Sequence, residues 1–179
     1  MMAALLLVST LYGCGGTNDT QFDPKSLTTD AYVFPTGKAV ISFSAAATSS
    51  LPVPISAVDL TITLPSGISV TSSGTSGQLD STTVVSGSAL GGTNLAYGSY
   101  AAATRTVQLS MATTSSGYSG GEFLKLYCNV PSGAVVTLGN LRALNAPVVV
   151  TKTVGYDPLT QSTVALTDKV AVTLNAALP

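Results

Sequence analysis

The sequence predicts an all-β fold, an antiparallel β-sandwich of about nine or ten short strands, on three observations. Ser, Thr, Gly, Ala and Val dominate a chain with only 8% charged residues, no His and no Trp; that mix favours strands and turns over helices. Apolar residues recur with a period of two in run after run, which places them on one face of an extended strand. The 17 Gly and 9 Pro punctuate these runs at short intervals, as tight turns between strands require. No repeat of fixed period is visible, which argues against solenoids and propellers.

The first element is of a different kind. Met1 to Leu11 is uncharged and mostly aliphatic, too short to span a hydrocarbon core of about 30 Å as a helix and suited to a signal-peptide apolar region. It runs into Leu11-Tyr12-Gly13-Cys14, which resembles the lipobox of bacterial lipoproteins. That resemblance implies cleavage before Cys14, lipidation of Cys14 and a membrane anchor through it, since several acyl chains on one residue hold where one alone is marginal. Residues 1–13 are then a signal peptide, and residues 14–30 the lipidated cysteine and a flexible linker. Gly15 stands where inner-membrane retention in that family uses Asp, so the resemblance implies an outer-membrane lipoprotein of the cell envelope, facing the periplasm or the surface. The polar stretch from Gly15 to Thr29 has no periodicity and gives a reach of about 20 Å from the lipid.

The sandwich is expected over residues 31–179. Lys38 to Ala45 alternates with Ala39, Ile41 and Phe43 on one face, and Ala57 to Leu64 sets Val58, Leu60, Ile62 and Leu64 against Asp59, Thr61 and Thr63. Pro65-Ser66-Gly67 turns the chain into Ile68-Ser69-Val70. Further strands are expected at 78–85, 94–100, 105–112, 122–130, 135–138, 141–144, 148–154, 163–167 and 169–174, with a short helical turn as an option at Ser86 to Gly92. Turn signals separate them, among them Pro131-Ser132-Gly133 and Gly155-Tyr156-Asp157-Pro158. In the strand at 122–130, Leu124, Leu126, Cys128 and Val130 share a face opposite Lys125 and Asn129. Cys128 is therefore expected as a buried core thiol, left without a disulfide partner once Cys14 is acylated.

The run Ile55 to Val70, followed by Val107 to Ala112 and Gly120-Gly121-Glu122-Phe123-Leu124-Lys125-Leu126, resembles the strand pattern of cohesin domains. Those are nine-stranded jelly rolls, related in fold to carbohydrate-binding modules, which bind a protein partner through one sheet face. The resemblance implies a cohesin-like jelly roll and a protein-binding role.

The residue inventory points away from catalysis. Without His, a Ser-His-Asp or Cys-His arrangement is impossible. The eight carboxylates are scattered at Asp19, Asp23, Asp30, Asp59, Asp80, Glu122, Asp157 and Asp168; only a two-carboxylate glycosidase assembled in space is left as an enzymatic alternative. The same scatter offers no cluster for a metal, so no cofactor is expected, and Asp80 and Asp157 are the candidates for a single structural Ca²⁺. Asp157 is read first as a turn former. A net charge of −1 argues against nucleic acid. The binding candidates are Tyr97, Tyr100 and Tyr118, whose rings carry polar tips, although the period of two sends Tyr97 and Tyr100 to opposite faces. The function expected is a non-catalytic, membrane-anchored lipoprotein whose sandwich binds a protein partner at the cell envelope. The alternative is an extracellular polysaccharide-binding module using the tyrosines and Ser/Thr hydroxyls.

Overall fold

A computed structural model describes residues 27–74 and 76–179, so the signal and lipidation expectations on residues 1–26 lie outside the described residues. The fold is an all-β sandwich of two antiparallel sheets with one short helix. In chain order come β1 (Gly37–Ala47), β2 (Ile55–Thr63), β3 (Ser72–Ser73), β4 (Gln78–Leu79), β5 (Val84–Ser86), β6 (Asn94–Ala101), β7 (Thr106–Thr113) and β8 (Gly121–Val130). Helix α1 (Leu138–Leu144) follows, then β9 (Val149–Asp157), β10 (Ser162–Ala165) and β11 (Val170–Ala177). The smaller sheet has the order β11-β1-β8-β5 and the larger β10-β9-β2-β7-β6-β4-β3.

The core lies where the two inner faces meet. From the smaller sheet come Ala39, Ile41 and Phe43 of β1, Leu124, Leu126 and Cys128 of β8, and Val172 and Leu174 of β11. The larger sheet answers with Val58, Leu60 and Ile62 of β2 and Val107, Leu109 and Met111 of β7, all almost fully buried. Each large aliphatic or aromatic side chain so buried stabilises the fold by about 1.5–3 kcal/mol against an exposed one. Alternation thus sets the register: a slip of one residue in β2 would turn Val58, Leu60 and Ile62 to solvent.

Local chemistry overrides the alternation at four places. Where strands 135–138 and 141–144 are expected, the chain forms α1. Thr137 caps it, its hydroxyl accepting from Asn140 N at 3.1 Å while Asn140 Oδ1 accepts from Thr137 N at 3.0 Å. Leu138 and Leu141 are buried at a spacing of three, which fits one face of a helix as well as it fits a strand pair. The expected strand at 78–85 is two strands in different sheets. Asp80 O accepts from Thr83 N and Val84 N, and that turn carries the chain from the larger sheet into the smaller. Residues 86–92 form no helix; Gly87 N and Ala89 N instead donate to Phe123 O and Glu122 O of β8. Finally, β9 runs on through Gly155, Tyr156 and Asp157, so the turn begins only after them.

The strand registers define two ends of the sandwich. At one, here called proximal, lie the start of β1, the ends of β2, β6 and β8, and helix α1. The chain entering from residue 27 is fastened there. Leu138 N donates to Tyr32 O, Gly139 N to Asp30 O, and Arg142 reaches Thr28 O at 3.0 Å and Asp30 Oδ1 at 2.7 Å. Leu27–Asp30, within the stretch read as linker, are therefore already held on the domain. The opposite, distal end carries the connections β1–β2, β7–β8 and β9–β10.

Candidate functional site

The outer face of the larger sheet is built from cross-strand rows over β6, β7, β2 and β9. One row is Leu95, Ala112, Ala57 and Val154; the next is Tyr97, Ser110, Asp59 and Lys152; a third is Ser99, Gln108, Thr61 and Val149. Four strands and three rows cover a patch about 14 Å on a side. Its middle is floored by the small side chains of Ala57, Ala112 and Ser110, while its margins carry Leu95 at 59%, Tyr97 at 47% and Val149 at 58% exposure. The face is shallow, with apolar rims and one pair of opposite charges, Asp59 and Lys152, set side by side across β2 and β9.

A second feature sits at the distal end, a cleft of about 490 Å³, within the size range of small-ligand sites. Pro54, Pro158 and the exposed ring of Tyr156 supply its apolar surface, and a run of hydroxyls from Thr113 to Ser116 its polar wall. The wall is braced: Thr113 Oγ1 accepts from Ser115 N, Thr114 Oγ1 from Thr93 N and Ser115 Oγ from Gly91 N. Gly155 shapes the other side, because a Cβ there would strike Pro54 O and the Val53 side chain. Tyr156 was hidden in the sequence by the reading of Gly155 to Pro158 as a turn; the signal available was Val154 and Tyr156, alternate residues continuing the strand.

The three sequence candidates fare differently. Tyr97 stands exposed on the outer face, and Tyr100 points the other way, half-buried against the core, as the period of two requires. Tyr118 is 3% exposed, and its hydroxyl donates to Gly121 O at 2.9 Å. It is thus corrected from a displayed ring to a buried brace that pins the β7–β8 loop, and desolvation pushes its phenol well above the ordinary range. Tyr118 O also accepts from Ile55 N, so it ties the wall of the distal cleft to β2.

The described carboxylates do not gather into one site. Asp157 closes its own turn, accepting from Thr160 Oγ1 at 2.8 Å and Leu159 N at 2.9 Å, and the Thr160 bond foremost lowers its pKa. Asp80 is exposed in the β4–β5 turn, and Glu122 accepts from Ser88 and pairs with Lys125 at 3.5 Å. Among the described residues no three His, Cys, Asp or Glu side chains gather at one place. Cys128 is 5% exposed with no disulfide, and burial pushes its thiol up to about 12.

No protein-family model, no curated protein and no solved structure matches the chain.

Proposed function

We propose that this chain is a non-catalytic, lipid-tethered module of the cell envelope that holds a protein partner against the outer face of its larger sheet. The observation that carries the reading is the pairing of exposed Leu95, Tyr97 and Val149 with a floor of Ala57, Ala112 and Ser110. Such a surface offers exposed apolar anchors on a rigid sheet, with the charges of Asp59 and Lys152 already beside one another, so little ordering is needed to dock a protein. Interfaces draw most of their affinity from a few such anchors, tyrosine prominent among them. The cohesin-like strand pattern and the lipobox-like Leu11-Tyr12-Gly13-Cys14 support a tethered interaction role. The test is capture from the envelope with the full chain as bait. Leu95→Ser and Tyr97→Ala should each abolish or strongly reduce recovery of the same specific partner while Thr173→Ala, on the smaller sheet, leaves it intact; equal recovery by all three discards the reading.

The distal cleft favours a second reading, binding of a neutral polysaccharide. A flat ring at Tyr156 beside hydroxyls that both donate and accept suits a sugar's apolar face and its rim. In a glycan array Tyr156→Ala should remove any signal that Tyr97→Ala leaves untouched; a signal insensitive to Tyr156→Ala contradicts this reading.

A further inference from the structure

The two ends of the sandwich differ in a way that neither reading uses. At the proximal end the described side-chain charges are Lys38, Arg105, Arg142 and Asp30, a net of two positive charges. At the distal end they are Glu122 with its ion-pair partner Lys125, Asp157, Asp168 and Lys169, a net of one negative charge. The proximal end also displays large apolar side chains: Val33 is 50%, Val135 76% and Leu144 50% exposed. These three are neighbours. Val135 and Leu144 line one shallow cleft with Pro65 and Arg105, and Val33 is bridged to Thr137 just beyond Val135. The same end receives the incoming chain, since Thr28 O and Asp30 are bonded by Arg142 on α1.

We infer that the proximal end is a lipid-contact surface, seated on the headgroups of an anionic bilayer with Val33, Val135 and Leu144 inserted and Arg105 and Lys38 facing the lipid phosphates. Two independent observations select a membrane over a protein as the occupant. Leu27, with which the first described segment begins, and the residues after it are fastened at this end by Arg142, so an anchor at Cys14 lies closer along the chain to this face than to the distal one. The charge of the face is of the sign that anionic lipids attract, and apolar side chains ringed by cations are what interfacial binding uses. The repelled acidic end then points outward with the distal cleft, and the outer face of the larger sheet stands to the side, open to a partner. The surface rests on the anchoring of Cys14 for its proximity to lipid but not for its chemistry.

The experiment labels the full chain with an environment-sensitive fluorophore at Val135→Cys or at Leu159→Cys, the latter 93% exposed at the distal end; Cys128 is buried and stays unlabelled, and where Cys14 is not acylated the reading at 135 or 159 is repeated with Cys14→Ser so that the signal comes from that position alone. The protein is bound to vesicles of phosphatidylethanolamine and phosphatidylglycerol in equal parts. Expected is a blue-shifted emission, quenched by spin-labelled acyl chains, at position 135 only. The quenching should fall severalfold when Arg105→Glu and Leu144→Ser are added, and also in high salt. Water-like emission at both positions, or equal quenching at both, overturns the inference. Mass spectrometry of Cys14 reads the anchor separately: acylated Cys14 with no contact at 135 refutes the surface alone. Contact at 135 in a chain whose Cys14 is not acylated refutes the anchor alone.

Discussion

Asn145 shows how much one side chain can carry. Almost fully buried at the C-terminal end of α1, it acts as a strand partner for the last residue of β2. Its Oδ1 accepts from Thr63 N at 2.7 Å, and its Nδ2 donates to Thr63 O at 2.9 Å and Leu141 O at 2.7 Å. Asn145→Ala strands three groups away from most water and should cost about 1–3 kcal/mol, read as a lowered urea midpoint with unchanged slope. Cys128 makes a pH prediction. The unfolded thiol titrates near 9 and the folded one near 12, so the folded state holds the extra proton in between. Stability is then unaffected by this group below pH 9 and falls as pH rises from there toward 12. Cys128→Val should flatten that part of the alkaline decline in chemical unfolding; Tyr118, also raised, keeps its own share. A decline of the same slope in Cys128→Val would mean that the thiol is not desolvated. Burial of Cys128 was readable from the alternation of Leu124, Leu126 and Val130; the burial of Tyr118 was not, because its place follows from a loop folding back onto β2, which no local period encodes.

Among the elements, the strands were legible wherever both sheets bury one face, and illegible where a short polar segment decides the path. Alternation describes β2 and β7 well because each is long and buried on one face, while β1 and β8 are marked by their apolar residues although Val40, Ser42 and Phe123 are buried out of step with it. It fails at α1, whose Leu138 and Leu141 suit either period and whose capping box uses Asn140 where the familiar signature has Glu or Gln. It fails again between β4 and β5, where four residues, Asp80 to Thr83, switch sheets. Helix α1 earns its place through Arg142. Besides gripping the incoming chain, its Nε donates to Leu174 O at 3.3 Å on the outer edge of β11, and Nη2 pairs with Asn175. Eight uncharged residues make β11 the longest edge strand, and such edges invite unwanted pairing. Arg142→Ala should therefore lower stability by about 1–3 kcal/mol. Asp30→Ala should cost under about 1 kcal/mol, since the Asp30 carboxylate is mostly exposed and its ion pair is screened. Equal losses in thermal or urea unfolding would show that the ion pair, and not the backbone contacts, fastens the incoming chain.

For the whole molecule, function follows from direction. The chain enters at one end, the cleft with Tyr156 opens at the other, and the broad face with Tyr97 lies between. The sandwich and the opposite facing of Tyr97 and Tyr100 could be read from residues 31–179 alone; which of the two is exposed and the polarity of the ends could not, because both follow from the strand registers, which bring together residues far apart in sequence. A domain held by its proximal end leaves the outer face of the larger sheet free to meet a partner edge-on to the membrane. The most direct test is a photo-crosslinker at Tyr97 in the full chain, expressed in its own envelope, beside the same group at Thr173 on the outer face of the smaller sheet. A single discrete protein adduct from position 97, absent from position 173, is the predicted result. No adduct at 97, or the same adduct from both faces, would contradict the assignment of that face as the binding surface.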